Sequence, residues 1–164
     1  MSGRSTRTPK VRSQAGSGDS AAAVNARAID AFRREASRRG GRAAVRRSGN
    51  RNEVVVKAPG LAIEFLVSVR SRTSGDFQTS IAYGKARTRE EFPTRFWVFV
   101  DLFPEATNFY VVPEWWIQNN ILEQHQLYLE AHHGSRAVND ESMHHSIDTS
   151  RVAPWAGNWK QLGL

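Results

Sequence analysis

The chain contains no cysteine. That absence removes disulfide scaffolds, thiolate metal sites and thiol nucleophiles, and leaves serine, histidine and carboxylate chemistry open. No apolar run approaches the ~20 residues that span a bilayer, and no apolar stretch near the first residue has the character of a signal peptide, so a cytoplasmic protein with no membrane partner is expected. No segment repeats. Acids are scarce in one region above all: residues 1–51 hold three (Asp19, Asp30, Glu35) against 13 of the chain's 23 basic residues. That segment carries +10, the remainder −3, and the whole +7. A cationic first third on a mildly acidic body suits phosphate-backbone binding, in which each contact releases condensed counterions. A solubilising tail has the same composition.

Residues 1–19 are rich in Ser, Gly, Arg and Thr and almost without bulky apolar side chains. They cannot offset the entropy of ordering, so a basic disordered arm is expected there, followed by one domain over 20–164. Beyond the arm, Ala28, Phe32 and Ala36 recur at helical spacing with Ile29 beside them, and Gly40-Gly41 stops that helix. Three strand-like runs follow at 42–47, 53–57 and 63–72. Pro59-Gly60 between the last two predicts an antiparallel hairpin. In the third run Ile63, Phe65, Val67 and Val69 alternate with Glu64, Leu66, Ser68, Arg70 and Arg72, so one face packs and the other presents polar groups. Residues 73–95 read as a loop with a short helix, Thr88 and Glu91 forming a possible capping box.

The run 96–102 (FWVFVDL) has the continuous apolar character of a central strand, and 109–112 forms another. Pro113-Glu114 opens a helix to about residue 132, with Ile117, Ile121 and Tyr128 on its packed side. A loop-rich tail closes on Trp155, Trp159 and Leu162. The expected fold is therefore α/β: a single domain with a central mixed β-sheet flanked by helices, in the order α-β-β-β-(loop)-β-β-α.

The stretch NEVVVKAPGLAIEFLVSVRSR, with a helix before it, resembles the restriction-endonuclease-like superfamily, the PD-(D/E)XK nucleases. The likeness covers roughly residues 20–133 and rests on element order and one residue-x-cation triplet. It implies a Mg²⁺-dependent phosphodiesterase acting on DNA, with no small-molecule cofactor and with homodimerisation common. Glu53 matches the family's first acid and metal ligand, Ser68 its second acidic position, and Arg70 its lysine. Residues i and i+2 of a strand lie about 6 to 7 Å apart on one face, so ligand and cation converge on one phosphate. Asp30 on the first helix offers an acid from outside the hairpin, as helix residues do in some members.

Two departures bear on activity. Ser68 offers a neutral hydroxyl where Mg²⁺ takes charged oxygen, and Arg70 grips phosphate but does not release a proton. Glu64 shares the Ser68 face but stands roughly 13 Å along the strand. The sequence thus accommodates a weak or inactivated endonuclease, a non-catalytic DNA-binding or protein-interaction module, or an ordinary hairpin with Glu53, Ser68 and Arg70 facing solvent.

Arg46, Arg47, Arg51 and Arg72 together with Gln78, Thr79 and Ser80 form a candidate nucleic-acid strip. His132, His133, His144 and His145, with Asp140 and Glu141 between the pairs, raise a third possibility, a metal hydrolase. Adjacent histidines rarely share an ion, however, and helix capping explains them as well. A Ser/His/Asp triad lacks any G-x-S-x-G elbow. Trp115-Trp116 beside Phe109-Tyr110 could stack bases, although residues at such a junction commonly belong to the core.

Overall fold

The computed structural model describes residues 18–103, 105–134 and 142–164. Helix α1 (Ala21–Arg38) starts where Ser20 Oγ accepts a hydrogen bond from Ala23 N at 3.2 Å. Gly40, at φ 88°, turns the chain out of it, a conformation that side-chain-bearing residues resist. Ala28, Ile29, Phe32 and Ala36 are its buried face.

Strands β1 (Arg42–Ser48), β2 (Arg51–Lys57) and β3 (Glu64–Arg72) form an antiparallel meander, with Ala58-Pro59-Gly60-Leu61 turning between β2 and β3. β5 (Arg95–Asp101) lies parallel to β3, and β6 (Asn108–Pro113) runs antiparallel to β5. The main sheet is thus mixed, in the order β1-β2-β3-β5-β6. Between β3 and β5 the chain makes the short strand β4 (Phe77–Ser80) and a 3-10 turn (Ile81–Tyr83). β4 pairs antiparallel with β7 (His144–Ile147) in a small second sheet. The expected order is present, with β4 inside what reads as a loop. Ile63 lies outside β3 and is 52% exposed, whereas Phe65, Val67 and Val69 pack as anticipated.

Two cores sit on opposite faces of the main sheet. On one, α1 and the C-terminal 3-10 turn (Trp159–Leu162) cover Val54, Val56, Val67, Val98 and Val111, with Phe32 stacked on Trp159 at 5.4 Å. On the other, α2 (Glu114–Ala131), β4 and β7 and the short helix α3 (Thr149–Val152) bury Trp97, Phe99, Tyr110 and Val112. α2 lies over β5 and β6 and leaves the β1–β3 half of that face uncovered. Trp116 packs on Trp155 at 5.5 Å and Tyr110 is buried, so these two serve the core rather than a stacking platform. No described helix is long and apolar enough to cross a membrane.

Candidate active site

The uncovered half of the sheet is polar because β2 and β3 alternate. Val54 and Val56 point to the α1 core, so Glu53 points to the opposite face, as do Ser68 and Arg70 between the buried Val67 and Val69. Where that half-face meets α2, a cavity of about 400 Å³ opens. Glu53 and Ser68 line it, and so do residues that the sequence does not mark as site residues: Lys85, Arg95, Glu114 and Gln118.

Glu114 is the first residue of α2, and its carboxylate oxygen Oε1 accepts from Gln118 Nε2 at 3.2 Å. Gln118 is held in turn by Arg87, whose Nε donates to Gln118 Oε1 at 2.7 Å. Lys85 reaches the cavity because Gly84 lets the chain lie directly on α2, with Lys85 N donating to Gln118 O at 3.1 Å. A Cβ at residue 84 would sit 3.0 Å from Leu122 N.

The electrostatics of the cavity are mixed. Burial pushes the Glu114 carboxyl above the ordinary range, and the charge of Glu53 pushes the same way, against Arg95, Arg87 and the Trp97 indole. The nearest cation to each acid stands at 3.9 Å: Arg46 Nη2 from Glu53 and Arg95 Nη1 from Glu114. Two carboxyl groups therefore face one space without a tight counter-ion.

Other predicted site residues divide. β2 and β3 pair from Lys57–Glu64 to Val54–Val67, and Glu53 and Ser68 lie just beyond the last pair. Beyond that point they flank separate spaces: Arg70 lines a second cavity of about 440 Å³, which shares Arg51, Ser68 and Tyr83 with the first. The Arg70 guanidinium lies 4.3 Å over the Trp97 ring and 5.5 Å from that of Tyr83. Burial lowers its pKa, and the charge of Arg51 adds to the effect. Glu53 and Ser68 thus line one cavity, and Arg70 lines the other, which Glu53 does not.

Asp30 sits on the exposed side of α1, 3.8 Å from Arg33, and lines neither cavity. Arg72 is committed to buried Asp101, Nη2 to Oδ2 at 2.5 Å, and is not a free phosphate ligand. Arg46 shares the Glu53 face, whereas alternation turns Arg47 to the other side, so the basic strip is split between faces. Gln78 Nε2 donates to Ser146 Oγ at 3.0 Å, and Thr79 is partly buried opposite His145 in the small sheet. His132 Nδ1 lies 2.8 Å from Tyr128 O, a capping contact, and His144 and His145 belong to β7. Asp140, Glu141 and residues 1–17 of the expected 1–19 arm lie outside the described residues.

Glu114 has one sequence signal, an acid in the first turn of a helix, which also serves the helix dipole. Lys85 and Gln118 have none. Among the described residues no group of three or more His, Asp or Glu side chains gathers to hold a metal. Mg²⁺, however, commonly takes one or two protein carboxylates and completes its shell with water and substrate phosphate oxygens. On those terms the pair Glu53 and Glu114 fits, since it supplies two hard oxygen donors that repel one another. Comparison with family models, curated proteins and solved structures returns no match to this chain.

Proposed function

We propose that this domain acts on phosphodiesters of DNA in the manner of the restriction-endonuclease-like superfamily, with its second acid supplied by α2 instead of by the strand position occupied by Ser68. The supporting observation is the meeting of Glu53 and Glu114 with Lys85 in one cavity. Glu53 and Glu114 would hold Mg²⁺, which when bound would neutralise phosphate charge and lower the pKa of a water. Lys85 brings an ammonium, able to release a proton where the guanidinium of Arg70 is not. Arg51 and Arg95 add charge that attracts the DNA backbone, and Gln118 keeps Glu114 aimed into the cavity.

A second reading, DNA binding without cleavage, is favoured by the position of Arg70, stacked on Trp97 and apart from Glu53. Incubation of plasmid with the purified chain, Mg²⁺ or Mn²⁺, and EDTA controls distinguishes the two. The first reading expects metal-dependent nicking that falls at least about 100-fold in a Glu53→Gln, Glu114→Gln double variant. Salt-dependent binding with no nicking by the wild type rejects cleavage and leaves the second reading.

A further inference from the structure

Arg51 and Arg70 pose a problem that the carboxylate cavity does not explain. Beyond Val54–Val67 the strands β2 and β3 border a wedge-shaped cavity of about 440 Å³. Both guanidinium groups lie against the same ring, Arg51 at 4.9 Å and Arg70 at 5.5 Å from the centroid of Tyr83. Neither belongs to an ion pair among the described residues. Arg70 is largely removed from water, and its one hydrogen bond to a backbone carbonyl goes to Val69 O at 3.2 Å. Arg51 is exposed and Arg70 is largely buried beside it, and a buried guanidinium with no ion pair next to a second cation is costly unless an anion joins them.

The remaining lining points the same way. The wedge presents the side-chain amides of Asn25, Asn50 and Asn52 and the hydroxyl of Ser71, and it contains no aspartate or glutamate. Amides and hydroxyls donate hydrogen bonds, and guanidinium groups match phosphate oxygens in two-point contacts. The neighbouring cavity differs in mixing two carboxyl groups, Glu53 and Glu114, with the cations Lys85, Arg95 and the shared Arg51. The acids thereby lie on one side only of the wall formed by Ser68 and Tyr83, while the wedge has cations and neutral donors without a carboxylate among its lining.

We infer that the wedge between β2 and β3 is a phosphate subsite, built on Arg51 and Arg70, that takes the dianionic terminal phosphate of a nucleic-acid strand. An internal phosphodiester carries one negative charge, whereas a terminal phosphomonoester carries about −1.5 to −2 at pH 7 and matches two guanidinium groups. Only the source of the phosphate, a strand end, rests on the function proposed above. The dianion site itself does not.

The test titrates the full chain with inorganic phosphate and with one oligonucleotide in three forms, phosphorylated at the 5′ end, at the 3′ end, or at neither. The account expects saturable phosphate binding and about tenfold tighter binding of one phosphorylated form than of the hydroxyl form. That gain should vanish in Arg70→Gln and survive in Glu53→Gln. Because Arg70 packs on Trp97, Arg51→Gln provides a second variant at an exposed position and should lose the gain as well. Saturable phosphate binding without any preference for a phosphorylated end overturns the assignment to strand ends. Absence of phosphate binding, or a gain untouched by Arg51→Gln, overturns the subsite. A chain that shows the gain yet nicks no plasmid keeps this inference and loses the cleavage proposal.

Discussion

Glu114, at the start of α2, and Glu53, on β2, line one cavity, and the charge of Glu53 helps to hold the Glu114 carboxyl above its ordinary pKa. The two come from separate parts of the chain. Of the main sheet α2 packs on β5 and β6, and its first turn lies beside the half of the sheet where Glu53 points. A buried acid placed in this way costs stability when ionised, and that cost can be measured.

Glu114→Gln should stabilise the protein at neutral pH. Burial raises the folded-state pKa, so the contribution of the neutral carboxyl is complete below the unfolded-state value and is lost as pH rises through the raised one. Glutamine is neutral throughout. Thermal unfolding midpoints of variant and wild type should therefore coincide near pH 4 and separate, with the variant higher, by about pH 8. Equal midpoints across that range would show that Glu114 is not buried as described.

Arg72→Met should be strongly destabilising. Asp101 is 3% exposed and accepts from Arg72 Nη2 at 2.5 Å and from Phe103 N at 3.1 Å. Removing the guanidinium strands a buried carboxylate, a loss of about 3–5 kcal/mol by urea denaturation. Adding Asp101→Leu should recover much of it, because the unpaired charge is then gone. A loss below about 1 kcal/mol, as exposed pairs give, would mean that the pair is solvated.

Removal of residues 1–17 should weaken DNA binding in a salt-dependent manner. That segment carries Arg4, Arg7, Lys10 and Arg12. Each of them that meets a phosphate contributes roughly 0.9 to the slope of log affinity against log salt. The truncated chain should therefore show a shallower slope. An unchanged slope rejects the arm as a backbone contact.

Much of this fold is legible in the sequence, and particular residues show why. Ala28, Phe32 and Ala36 mark α1 by spacing, and FWVFVDL marks β5 by a continuous run that a strand buried on both faces requires. Pro59-Gly60 marks the turn that brings β2 against β3, and with it the shared orientation of Glu53 and Ser68. β4 and β7 are not legible, since each has four residues, FQTS and HHSI, and their pairing joins distant parts of the chain. The site is legible by half. Alternation identifies Glu53, Ser68 and Arg70 as one face, but where β2 and β3 stop pairing is a tertiary matter, and that decides which cavity Arg70 enters. Glu114 carries the ordinary mark of a helix start, and its approach to Glu53 follows from where α2 docks.

Manganese binding followed by electron paramagnetic resonance, on the wild type and on Glu53→Gln, Glu114→Gln and the double variant, tests the shared site most directly. If the two carboxyl groups act on one ion, the wild type takes up Mn²⁺, each single variant loses most of that affinity, and the double variant loses little more. Binding that survives either single substitution, or no binding by the wild type, contradicts the account.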